Sequence, residues 1–176
     1  SMAMFRKICR IAVPSILQQS FVSVGNLFIQ GLVNSFGSGV LAGYSAAVKL
    51  NNFAITSFST IVNGVSSFTA QNIGAGKLDR VKKGFFAGTQ MVLLIAAVVL
   101  TVYLCFGKHA MSLFLENVSG EAMESGVLYL HVLSPFYLAI SIKLVADGLL
   151  RGASAMSSFM ISTFTDLILR VVLAFA

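Results

Sequence analysis

The chain has 176 residues, of which 57% are hydrophobic and only 10% charged, with a net charge of +6. Soluble domains carry about a quarter charged residues, so this composition excludes one, and it equally excludes a polar disordered chain. The charge does not read as a nucleic-acid footprint either, because its placement follows the apolar pattern and not a patch or stripe.

Five apolar stretches run at 11–36, 40–70, 85–106, 127–150 and 156–176. A helix crosses the hydrocarbon core with about 20 predominantly apolar residues, and open strands or loops are not viable in lipid. The fold class expected is all-α, a polytopic transmembrane helical bundle of five spans. Arg6, Lys7 and Arg10 precede the first span, Lys77, Arg80, Lys82 and Lys83 lie between the second and third, and Arg151 lies between the fourth and fifth. With a crossing at every stretch these fall on one side, while the connection at 107–126 carries Glu116, Glu121 and Glu124 against Lys108. The positive-inside rule then makes the N-terminus cytoplasmic and sets Tyr44, Tyr103 and Tyr129 near the outer interface.

The first span carries Ser15, Gln19, Ser23, Asn26, Gln30 and Asn34 at steps of three and four, a polar stripe on one helix face. The basic start before it resembles a signal peptide, but Pro14, Gln18 and Gln19 interrupt the apolar run and no small-residue cleavage site follows. The second span repeats the stripe with Ser45, Lys49, Asn52, Thr56, Ser59, Asn63 and Ser67. Single Ser, Thr, Asn or Gln side chains in a span commonly join neighbouring helices. Two stripes at full membrane depth point instead to a water-filled cavity, with Lys49 lining it or reaching outward.

After the second span, Asn72-Ile73-Gly74-Ala75-Gly76 reads as a helix C-terminus with glycine at the left-handed position. The following basic residues hold the turn at cytoplasmic headgroups; the full P-loop pattern is absent and no strand precedes it. The third span has no polar side chain over 91–100 and is expected to face lipid. In the connection at 107–126, residues 111–115 are expected as a short interfacial segment, and Asn117-Val118-Ser119 matches a glycosylation sequon.

The fourth span places Lys143, Asp147 and Arg151 four residues apart, and the fifth repeats the pairing with Asp166 and Arg170. Either set is a neutralised structural pair or a coupling site for a proton or cation. His131 reads as a hydrogen-bonded interface residue, and Pro14 and Pro135 as bends. Gly84-x-x-x-Gly88 and Gly148-x-x-x-Gly152 permit close helix approach. Cys9 and Cys105 are expected at opposite membrane faces, which excludes a disulfide, and neither a metal site nor an enzyme constellation is present in the pattern.

Three segments together carry a family resemblance: Asn26-Leu-Phe-Ile-Gln-Gly-Leu-Val-Asn-Ser-Phe-Gly, Leu41-Ala-Gly-Tyr-Ser-Ala-Ala, and Gln71-Asn-Ile-Gly-Ala-Gly-Lys-Leu-Asp-Arg-Val-Lys-Lys-Gly. With Leu149-Leu-Arg-Gly-Ala and Asp166-Leu-Ile-Leu-Arg-Val, the chain closely resembles the C-terminal half of a multidrug and toxic compound extrusion (MATE) transporter. The resemblance implies a twelve-helix, two-lobe secondary transporter of the plasma membrane that expels small amphiphilic or cationic substrates against protons or sodium. This chain would supply its seventh to eleventh helices, against an N-terminal lobe as partner. It implies no cofactor beyond the coupling ion, no enzyme activity and no nucleic-acid partner, with Asn26, Gln30, Lys49, Asn52 and Asn63 lining the cavity. The acidic residues of sodium-coupled members would fall near Val22 and Ile140, neither of them acidic, so any coupling carboxylate is expected in the N-lobe. A lipid-linked precursor flippase of the same superfamily, or a membrane scaffold, is the alternative.

Overall fold

The computed structural model describes residues 2–115 and 120–175. Glu116, the sequon at 117–119 and the side chains of Arg6, Lys7, Arg10, Pro14, Ser15, Gln18, Gln19, Val22 and Arg170 lie outside the described residues. The regular structure among the described residues is α-helical: α1 (Met2–Asn34), α2 (Ser38–Gly74), α3 (Leu78–Ser112), α4 (Gly120–Leu133), α5 (Phe136–Gly152) and α6 (Met156–Phe175). The helices divide between two compact units, one of residues Val33–Ser154, holding α2 to α5, and one of Ser1–Leu32 with Ala155–Ala176.

Every apolar stretch is helical, but the stretches are not equivalent as spans. Among the described residues α3 alone is long and apolar enough to cross a membrane, and α4 with α5 would make a second such element if the pair is one span bent by 55°. The bend has a local cause. Pro135 has no N–H to donate and stands at the start of α5, while the Ser134 hydroxyl and N–H both turn back to the Leu130 carbonyl. The helical run there begins at Gly120, and Pro135 stands at the bend that divides it into α4 and α5.

Two further expectations are corrected. Residues 111 and 112 belong to α3, which runs on past a kink at Phe106 (φ −122°, ψ 19°), and Met111 is fully buried instead of lying in an interface. The run 91–100 is not wholly lipid-facing, because Val92 and Ala96 pack in the core. Its other face exposes Phe86, Met91, Leu94, Val98, Val102 and Phe106. From Phe86 to Phe106 is about 30 Å of helix, one hydrocarbon thickness.

The turn after α2 is a Schellman motif. Gly76 adopts φ 70°, its N–H donates to the Ile73 carbonyl at 3.0 Å, and the Lys77 N–H donates to the Asn72 carbonyl at 2.8 Å.

In the larger unit α2 and α3 each contact the other three helices, and α2 carries the longest buried face. Its buried residues include Gly43, Ala46, Ala47, Leu50, Ala54, Phe58, Val62, Val65 and Thr69, a continuous face at steps of one, three and four. Glycines set the spacing. A Cβ at Gly148 would sit 2.9 Å from the Val62 carbonyl oxygen, and one at Gly152 would sit 2.8 Å from Thr69 Cβ and press on the Ser66 carbonyl. Gly84 and Gly88 of α3 receive the Phe68 ring and Val65 side chain in the same way, and Gly43 of α2 lies against the Ala122 carbonyl of α4. Both GxxxG patterns therefore act as contact surfaces.

Gly148→Ala in the full-length protein is expected to cost about 1–3 kcal/mol, since the Val62 carbonyl as well as the Val62 side chain must yield. Gly64→Ala, with nothing within 4 Å of its Cβ, should stabilise by about 0.5–1 kcal/mol as an ordinary mid-helix replacement. Thermal unfolding of the detergent-purified protein compares the two.

Candidate functional site

The packed face of α2 leaves its opposite side free. Lys49, Asn52, Thr56, Thr60, Asn63, Ser67 and Gln71 are all exposed. At 100° per residue their mean direction lies about 160° from that of the buried set, and the row is about 33 Å long. Asn52 and Asn63 have no hydrogen-bond partner among the described residues. Thr60 spends its hydroxyl on the Thr56 carbonyl at 3.0 Å, as mid-helix threonines do. Ser45 and Ser59, which the spacing counted in the stripe, are only half-exposed, and Thr60 and Gln71 occupy the row in addition.

Lys49 stands at one end of the row. Its Nζ lies 5.9 Å from the centroid of the Phe114 ring, just beyond the end of α3, so the long side chain carries its charge to one end of the unit. Within one turn of it Phe53 is 71% exposed.

On α1, Asn26 and Gln30 are exposed, but so are Val24, Leu27, Phe28 and Leu32 on the other faces. Exposure does not single out a polar face on this helix. Asp166 is exposed on α6 and engaged in an interaction; its expected partner Arg170 has its side chain outside the described residues.

Lys143 and Asp147 do meet, with Nζ 3.2 Å from the carboxylate and the aspartate only 7% exposed. An i,i+4 pair of this kind lets a carboxylate enter the bundle with its charge compensated. Ile140, where sodium-coupled relatives would be acidic, is half-buried and packs on the core. Among the described residues no three His, Cys, Asp or Glu side chains gather where a metal could be held.

The polar groups that the pattern missed are those joining α2 to its neighbours. Tyr137 is fully buried and its hydroxyl bonds to Asn51 Oδ1 at 3.0 Å. Tyr103 is buried and donates to the Leu50 carbonyl at 2.8 Å. The two rings stand edge to face at 6.1 Å, and Phe58 adds a second such contact to Tyr137 at 5.9 Å. Tyr44 and Tyr129 form a third pair, 5.5 Å apart, both half-buried. Asn51 and Asn52 are consecutive, so they point about 100° apart: one amide enters this cluster while the other joins the exposed row. His131, exposed at the end of α4, packs against Gly107 just past the α3 kink.

A family model described as MatE matches residues 14–176. The chain is 29% identical over 149 residues to a probable multidrug resistance protein, YpnP of Bacillus subtilis (strain 168), covering 85% of this chain and 33% of that protein. A second probable multidrug resistance protein of the same organism, YoeA, is 28% identical over 61% of this chain and 23% of its own. A protein named as an FAD transporter, of Shewanella oneidensis, is 23% identical over 98% of this chain and 38% of its own. The chain thus spans about a quarter to two-fifths of the length of these relatives.

Removing the Tyr137 hydroxyl is expected to cost about 1 kcal/mol, a single hydrogen bond with a part-buried amide left behind. Tyr137→Phe should accordingly lower the thermal midpoint of the purified full-length protein. An unaltered midpoint would show that the bond to Asn51 contributes nothing.

Proposed function

The chain belongs to the MatE family, and from that premise we propose that it is part of a secondary active exporter of small amphiphilic molecules, driven by proton or sodium antiport. The larger protein would carry a second lobe, and alternating access would rock the two lobes around a cavity between them. In this reading the chain crosses the plasma membrane five times from a cytoplasmic N-terminus, with α4 and α5 as one broken crossing. Broken helices with irregular backbone are tolerated in membranes where protein covers them, and α4 and α5 both pack on α2.

The observation that carries the proposal is the exposed polar row of α2. Asn52 and Asn63 with free amides would be costly against lipid tails, whereas a water-filled path uses them. Lys49, Asn52 and Asn63 are the residues of α2 that we assign to that path. The α3 face from Phe86 to Phe106 is apolar enough to meet lipid instead.

A flippase of the same superfamily would need several free cations for a pyrophosphate. Lys143, the second cation available for that, is already held by Asp147. A scaffold would use the free amides of α2 as an assembly surface, and dye export by the complete protein separates the two readings.

Asn52→Leu in the full-length transporter is expected to reduce dye efflux at least about threefold while protein level in the membrane is maintained, since one uncharged hydrogen bond is worth about 1 kcal/mol. Efflux equal to wild type at equal protein level would remove Asn52 from the path. Collapse of efflux by a protonophore, or by removing sodium, identifies the coupling ion.

A further inference from the structure

The two helices that bear polar stripes contain no carboxylate at all. No Asp or Glu occurs before Asp79, so α1 and α2 are free of acidic side chains along their whole length. The exposed row of α2 carries one charge, that of Lys49, and Lys49 makes no ion pair among the described residues. α4, which packs on this half of α2, brings Glu121 and Glu124, both exposed and neither of them paired to Lys49. What faces the ammonium is the Phe114 ring, which holds a cation by its quadrupole without neutralising it. Asn52 follows one turn along the same face with a free amide, and Phe53 beside it is 71% exposed.

We propose that Lys49, Asn52 and Phe53 recognise the anionic end of an aromatic amphiphile, a substrate carrying a carboxylate or phosphate, rather than an organic cation. The inference rests on the exporter reading above and narrows its substrate. An organic cation moving along α2 would lose water and meet a like charge, with no carboxylate of this helix to compensate it. An anion would gain the ammonium as a point-charge donor and the Asn52 amide N–H as a second, while a flat apolar body could lie on the exposed ring.

The test uses the complete transporter in proteoliposomes, with carboxyfluorescein as the anionic probe and ethidium as the cationic one. The quantity read is the ratio of their export rates under an imposed proton or sodium gradient. Lys49→Gln should lower that ratio about tenfold or more, the worth of a hydrogen bond to a charged group. Lys49→Arg should keep it near wild type, and Lys49→Glu should invert the preference. An unaltered ratio in Lys49→Gln, or an equal loss in Lys49→Arg, would overturn the assignment. Wild-type export of ethidium without carboxyfluorescein would overturn the substrate class but leave the exporter reading standing. Export of neither probe by wild type would remove the exporter reading itself.

Discussion

Close backbone approach to α2 is the constraint on which the rest of the larger unit depends. In lipid there is no gain from hiding apolar side chains from tails that are equally apolar, so helices associate by dispersion contact and polar links. Contact of that kind needs small residues at the crossing points. Gly148 and Gly152 bring α5 onto the Val62 and Ser66 carbonyls, Gly84 and Gly88 admit the Phe68 and Val65 side chains on the α3 side, and Gly43 meets the α4 backbone at Ala122. Three partners gathered on one face of α2 leave its other face open over many turns. The polar row and the packing glycines are therefore two sides of one arrangement.

Polar side chains sort by depth along the same logic. Those that enter the bundle are satisfied within it: Tyr103 on the Leu50 carbonyl, Tyr137 on Asn51, Ser141 on the Leu138 carbonyl, and Asp147 on Lys143. Thr69 on α2 and Thr163 on α6 are the contrast, with buried hydroxyls that find no partner among the described residues, that of Thr69 beside the Gly152 crossing. Space there is taken by backbone, and the oxygen is confined by the tight contact. On the open face the amides of Asn52 and Asn63 have no partner among the described residues.

The two interruptions of regular helix fall near one another. The α3 kink at Phe106 precedes Gly107, and Gly107 packs against His131 on the last turn of α4, shortly before the break at Ser134 and Pro135. Past that level α3 exposes Lys108 and His109, so the change in helix direction coincides with a change from apolar to polar surface.

Much of this was legible in the residues alone. Hydropathy located the helical stretches, because apolar runs of that length have few other uses, but not the break at Ser134 and Pro135 that divides the fourth into α4 and α5. Helical spacing located the α2 row, because steps of three and four leave a narrow arc. Gly76 announced its turn, because a left-handed residue at a helix end favours glycine. The pairing of Lys143 with Asp147 followed from their i,i+4 spacing. What spacing could not decide was which of two adjacent asparagines enters the core, that Tyr103 is buried against the Leu50 carbonyl, that α3 continues past its kink, and that Lys49 reaches the Phe114 ring. Each of these depends on a neighbour more than 40 residues away in the chain, or on a backbone bend. Local pattern determines which face of a helix is polar; only tertiary packing determines what that face meets, because the partner's distance and direction are set by contacts elsewhere in the bundle.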